Sequence, residues 1–329
     1  MIELFGTLGP ACADKDMLVK MFAEGMSGIR LNLSHTSLLE SREWLKTYHD
    51  AAKEYGIQAQ LLIDMQGPEL RIGRLEKDLV LENSAIVTFK KPGMIPVDQH
   101  ILHALEKGDT VLLDDGKIEI LIQSVHEDEA EGIVIRGGIL SSRKSIKIQN
   151  KDIIAPVLTK QDIENIRHAK EYGVTALMQP FVRNGKELME VKDTLHQYDC
   201  DDIRIFAKIE NMTGYENLEN IIPYTDMIVI ARGDLGNDMP LWKLPVIQRR
   251  ISDLCLMHQK PFLVVTQMLA SMVDSPVPTR AEVSDIFRAV NEGASALMVT
   301  NETAVGKYPA EVIRYLYNTA NEALQWKEY

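Results

Sequence analysis

Lys208-Ile209-Glu210-Asn211 and Ala231-Arg232-Gly233-Asp234-Leu235-Gly236 place an ammonium and two carboxylates just beyond two successive apolar runs of strand character, 204–207 and 227–230. Neighbouring strands of a parallel sheet lie roughly 4.8 Å apart, so Glu210 and Asp234 can share one hard divalent cation through oxygen ligands. Residues two apart on a strand face the same side, which sets Lys208 next to Glu210 and a fixed positive charge beside that cation. Such a cluster suits a reaction in which negative charge develops on oxygen.

These groups need a sheet to hold them. Eight apolar or β-branched runs, near 3–7, 28–32, 60–64, 175–179, 204–208, 227–231, 262–266 and 296–300, alternate with amphipathic stretches, the pattern of a parallel α/β protein. Thr159 with Asp162 and Thr279 with Glu282 read as capping boxes, and Pro245 and Pro309 as first-turn prolines. Gly25, Gly56, Gly173 and Gly293 sit where helices should stop. Eight such units predict an α/β fold, a (β/α)8 TIM barrel. A doubly wound open sheet is disfavoured, because no G-x-G-x-x-G follows the first run.

One stretch, 73–147, breaks the alternation. Runs at 79–81, 85–89, 111–113, 118–122 and 133–136 are separated by turn residues, and Asp115-Gly116 between alternating apolar residues is a hairpin signal. The reading is a small all-β insertion in a βα loop, a lid over the face where barrel active sites lie, with 1–72 and 148–329 forming the barrel.

Composition narrows the function. A length of 329 residues suits a barrel of about 250 residues with an insertion. A net charge of -12 argues against nucleic acid or an acidic membrane as partner, yet leaves room for a small anion held by local arginines such as Arg30 and Arg71. No apolar stretch approaches the roughly 20 residues of a membrane span, and the N-terminus has no signal-peptide pattern, which points to the cytoplasm. Cys12, Cys200 and Cys255 are widely spaced and form no metal-binding pattern, so buried free thiols are expected.

The polar motifs nearly all follow the strand-like runs. They include R-L-N-L-S-H at 30–35, D-M-Q-G-P-E-L-R at 64–71, K-I-E-N at 208–211, A-R-G-D-L-G at 231–236, T-Q-M-L-A-S-M at 266–272 and P-T-R-A-E-V-S-D at 278–285. In these motifs and their order the chain resembles the pyruvate kinase family over almost its whole length. The resemblance implies phosphoryl transfer from phosphoenolpyruvate to ADP, giving pyruvate and ATP. It assigns Glu210 and Asp234 to Mg2+ (or Mn2+) and Lys208 to the phosphoryl group in flight and the enolate left behind. Gly233 and Asp234 would receive the substrate carboxylate, Thr266 would stand beside pyruvate, and Arg30, Arg71 and His35 would meet phosphates of substrate and nucleotide. Asn32, Ser34, Asp64 and the carbonyl of Met65 match a monovalent-cation site, commonly K+. Glu69 agrees with potassium dependence, whereas Met65-Gln66 and Ile72 resemble the potassium-independent kind, and the sequence leaves the two open.

Some positions depart from the family. Gln161 stands where the family has a nucleotide lysine, with Lys160 adjacent; Pro180 replaces the serine of S-F-V-R; and Thr300-Asn301-Glu302-Thr303-Ala304 replaces S-G-E-T-A. The chain ends near Tyr329, so the family's C-terminal domain is expected to be absent, with its allosteric control and much of its oligomer interface. A homo-oligomer would then need another surface, for which Trp242, Trp326 and Tyr329 are candidates. Two other functions compete with the kinase. One is a metal-dependent enolate enzyme acting on 2-oxo acids (decarboxylase, lyase or tautomerase), which needs Lys208 and the metal but no nucleotide lysine. The other is a non-catalytic regulatory paralogue.

Overall fold

The computed structural model describes residues 2–34, 36–68, 70–114, 116–149, 151 and 156–326. The chain opens with β1 (Glu3–Thr7), β2 (Gly28–Asn32) and β3 (Gln60–Asp64). Seven short strands follow: β4 (Leu79–Leu81), β5 (Ile86–Phe89), β6 (Thr110–Leu113), β7 (Ile118–Val125), β8 (Ala130–Arg136), β9 (Gly138–Leu140) and β10 (Ile146–Ile148). Then come β11 (Ala176–Gln179), β12 (Arg204–Ile209), β13 (Met227–Ala231), β14 (Phe262–Val265) and β15 (Ala296–Met298).

β1, β2, β3, β11, β12, β13, β14 and β15 pair in parallel in that order, and β15 returns to β1 to close an eight-stranded barrel. The expected (β/α)8 architecture is therefore present. Strands covered on both faces should be apolar throughout, and β11, β13 and β14 are buried at every position. Phe5, Leu62, Met178, Phe206, Val229 and Leu263 fill the lumen. Their strand neighbours, such as Leu4, Ile63 and Ile228, turn outward against the helices, as period-two alternation requires.

Helix ends follow local chemistry. Thr159/Asp162 and Thr279/Glu282 both form complete capping boxes, at the starts of helices Lys160–Ala169 and Arg280–Asn291. Pro245 lies in the first turn of Leu244–Met257, and Pro309 opens Pro309–Trp326. Two strands end earlier than the sequence suggests. β14 stops at Val265 because Thr266 and Gln267 adopt φ of 80° and 54°, outside strand geometry. β15 stops at Met298, since a short helix, Asn301–Ala304, begins just beyond it.

The lumen is polar at its floor. Gln60 donates to the Glu3 carboxylate and accepts from Arg204. These side chains belong to β1, β3 and β12, no two of which are neighbours, so they meet across the inside of the barrel.

The second compact unit runs from Pro68 to Pro156. It is wider than the 73–147 read from the sequence because the flanking chain pairs with it: Ile146 donates to Leu70, Ile72 donates to Lys144, and Arg71 bridges Ser145. Its main sheet has the order β10-β6-β7-β8-β5, beside a two-stranded β4-β9 ribbon, around its own apolar core. β6 and β7 pair antiparallel across the expected hairpin, although Asp115 itself lies outside the described residues. The sequence runs do not include β9, β10 or helix Gln99–Ala104.

Candidate active site

Lys208 is the last inward residue of β12, and one step further along the same face lies Glu210. The Lys208 ammonium sits 2.9 Å from Glu210 Oε1, so the spacing of two does bring them together. It also donates to both oxygens of Asp64, at 3.1 Å each, across the lumen from β3. Arg30, on β2, donates to Asp64 Oδ2 through Nε at 2.8 Å and approaches it through Nη2 at 2.7 Å. Its Nη1 reaches the Thr7 hydroxyl at 3.4 Å. All four charged side chains are largely buried, with Glu210 at 2% and Lys208 at 13% side-chain exposure.

Burial raises the pKa of Asp64, but the charges of Lys208 and Arg30 outweigh it and hold the carboxyl below the usual range. Burial lowers the pKa of Lys208, and here the Asp64 and Glu210 carboxylates outweigh it and push the ammonium above the ordinary lysine value. Lys208 therefore stays protonated at neutral pH and acts as a fixed charge and donor rather than as a base. Glu210 is oriented from its other side by the Phe181 N–H, which donates to Oε2 at 2.9 Å.

Thr266 and Asp234 lie at the same end of the barrel, after β14 and β13. The residue after β13 begins a short helix, Arg232–Asn237, with Gly233 and half-buried Asp234 in its first turn. A Cβ on Gly233 would lie 3.1 Å from Thr266 Cγ2, so a larger residue would crowd the threonine. Positive φ at a β-branched residue is costly and needs support from its surroundings. Arg232 supplies it: Nε and Nη2 donate to the Thr266 carbonyl at 3.2 and 2.7 Å, while Nη1 pairs with Asp285 at 2.6 Å. Sequence reading passed over Arg232 and Asp285, though both stand inside motifs it quoted.

Asn32 and Asp64 are register partners on adjacent strands, and Asn32 Oδ1 accepts the Ser34 N–H at 3.1 Å. Met65 is buried beside them. Asp64, expected at the monovalent cation, is at the same time the partner of two cationic side chains. Arg71 belongs to the second compact unit, where its Nη1 donates to the Arg143 carbonyl at 2.9 Å. His35 and Glu69 lie outside the described residues, as does Tyr329. Gln161 and Lys160 are both exposed at the start of helix Lys160–Ala169.

Residues 2–313 match the family described as pyruvate kinase, barrel domain. The chain belongs to the pyruvate kinase family. Among its relatives, the pyruvate kinase of Thermococcus litoralis is 35% identical, over 99% of this chain and 70% of its own length. That of Thermotoga maritima is 34% identical over 98% of this chain and 71% of its own, and that of Bacillus licheniformis 33% over 98% and 57%. A pyruvate kinase-like phosphotransferase is the enzyme these relatives support, and they give no support to the enolate-enzyme alternative.

The residues fit the divalent metal of this family. Mg2+ is typically held by one or two carboxylates together with substrate oxygens rather than by an all-protein cage. Glu210 and Asp234 offer two hard oxygen donors, and among the described residues no group of three His, Cys, Asp or Glu side chains forms such a cage. No described helix is long and apolar enough to cross a membrane.

Proposed function

We propose that this chain transfers the phosphoryl group of phosphoenolpyruvate to ADP, the glycolytic reaction that yields pyruvate and ATP in the cytoplasm. The observation that carries the proposal is the buried Lys208 ammonium, held between Asp64 and Glu210. In phosphoryl transfer the protein's work is positioning and neutralisation of charge. In this reading Lys208 does both, meeting the phosphoryl group as it leaves the enol oxygen and the enolate as charge collects there. A compact ammonium does so without moving a proton. Mg2+ (or Mn2+), when bound by Glu210 and Asp234, supplies Lewis-acid polarisation of substrate oxygens.

In this reading Arg30, oriented by its bonds to Asp64, meets the phosphoryl group, and the turn at Gly233 and Asp234 takes the substrate carboxylate. The Thr266 hydroxyl stands on the route by which the enolate carbon gains its proton, held there by the Arg232 bonds to its carbonyl. Arg71 and His35 serve the nucleotide phosphates. Asn32, Ser34, Asp64 and Met65 hold K+, a grouping supported by the Asn32–Asp64 register and the Asn32–Ser34 bond.

The test follows pyruvate formation from phosphoenolpyruvate with Mg2+, with and without ADP and K+, beside Lys208→Ala. ADP-dependent turnover that disappears in the variant is the expected result; no turnover with any nucleoside diphosphate sinks the proposal.

A further inference from the structure

Helix Arg280–Asn291 holds the loop after β14 at both ends. At the far end the Ser271 N–H and hydroxyl donate to Glu282 at 2.7 and 2.6 Å. At the near end Arg232 grips the Thr266 carbonyl through Nε and Nη2 and pairs with Asp285 through Nη1. Glu282 and Asp285 stand three apart, a spacing that puts two side chains on one face of a helix. Between the anchors Met268 and Leu269 are fully buried. Glu282 acts directly, whereas Asp285 reaches the loop through the guanidinium.

A guanidinium carries its donors in a fixed plane, so the nitrogen seated on Asp285 sets where the other two point. Those two converge on the carbonyl of a residue at φ of 80°, followed by Gln267 at 54°, and Nη2 also lies 2.9 Å from Met268 Sδ. Without its carboxylate the guanidinium would face a neutral carbonyl and a thioether alone, and the strained backbone would lose the support it needs. The same backbone carries the hydroxyl. A Cβ on Gly233 would lie 3.6 Å from Thr266 Oγ1, so the hydroxyl rests against the open face of the turn that follows Arg232.

We propose that Asp285, which touches none of the groups assigned to substrate or metal, is a positioning residue for proton transfer: through Arg232 it holds the Thr266 hydroxyl where the enolate meets it. The inference rests on the phosphotransferase reading for its kinetic consequence. In that reading the enolate gains one proton at its methylene carbon, and the hydroxyl that passes it on is re-protonated from water, so no other reactant is consumed. Lys208, Arg30 and Glu210 have no described bond to Arg232 or Asp285. Loss of the Asp285 charge should therefore slow proton transfer more than phosphoryl transfer.

The experiment compares Asp285→Asn with Arg288→Ala in the full chain, at saturating Mg2+ and substrates because Gly233 and Asp234 adjoin Arg232. Arg288 pairs with Glu292 at 2.8 Å, so its loss removes an ion pair of the same helix without touching the loop. Proton transfer is read as exchange of the pyruvate methyl protons with D2O in the presence of ATP, and phosphoryl transfer as ATP formed from phosphoenolpyruvate and ADP in a single turnover. Methyl exchange should fall by about tenfold or more in Asp285→Asn while single-turnover ATP formation stays within about threefold, and Arg288→Ala should move neither. Exchange of the Arg232 Nε–H with solvent, followed by NMR, should quicken by about tenfold in Asp285→Asn alone. If Asp285→Asn does not fold, Arg232→Lys keeps a charge for Asp285 but cannot span both partners, and the first two readouts apply. Equal loss of both activities, or loss of neither, overturns the proposal. A parent chain that forms no ATP overturns the phosphotransferase reading instead, and Nε–H exchange unchanged from that parent then overturns the positioning of Arg232 by Asp285 as well.

Discussion

The barrel carries charged side chains at both ends of its lumen, and the two ends treat them differently. At the floor, Glu3 and Arg204 are joined through the neutral side-chain amide of Gln60, and the Arg204 guanidinium carbon lies 5.0 Å from the Phe206 ring centre. One acid and one base are linked there by a neutral group of the protein. At the mouth, Lys208 pairs with both Asp64 and Glu210, Arg30 pairs with Asp64, and Asp234 stands in the first turn after β13. The formal charges of the first four cancel, and Glu210 and Asp234 are the carboxylates proposed to hold a divalent cation. A polar network joined within the lumen plugs a barrel; the network at the mouth is the one proposed to take a ligand.

The sharpest way to break this comparison is Lys208→Ala. It leaves buried Asp64 with Arg30 alone and buried Glu210 without its ammonium, so stability should fall by about 3 kcal/mol in urea titration. Turnover of phosphoenolpyruvate should fall by about 100- to 1000-fold, the cost of losing one donor to developing charge. A variant that keeps its rate within about tenfold would falsify the assignment of the mouth as the chemical end. Glu210→Gln tests the proposed metal site directly: calorimetry should show Mn2+ or Mg2+ binding weakened by about tenfold or more, with the fold retained.

Arg204→Met is the matching change at the floor. It should cost about 1–3 kcal/mol in thermal or urea melting, because the Glu3 and Gln60 groups lose a partner, while kcat and KM stay within about twofold. A large kinetic effect there would mean that the two ends are coupled through the lumen. The smallest expected effect is that of Thr266→Gly. Removing a β-branched residue from φ of 80° should relieve about 1 kcal/mol of strain, so the melting temperature should hold or rise as turnover drops. A variant that is clearly destabilised would show that the Arg232 bonds to this carbonyl do not depend on a strained backbone.

Much of this protein was legible because the deciding interactions are local. Alternating apolar runs set the eight strands, with β1, β2, β3 and β13 bounded as expected, and the two capping boxes form from residues three apart. Lys208 and Glu210 needed only the period of a strand to be placed on one face. The insertion was less legible, since β9 and β10 take their places only by pairing with β4 and β6, which lie far off in sequence.

The order of the barrel strands, the caps and the lysine–glutamate pair were thus determined by the sequence alone, because backbone periodicity and first-turn hydrogen bonds act over a few residues. Only the tertiary structure decided that Asp64 faces Lys208, 144 positions away, that Arg232 holds Thr266 in place, and that Asp162 caps a helix and ties down Gln66 and Gly67 at once. Closing the barrel brings these groups together, and in its interior a charge left without a partner costs too much to persist.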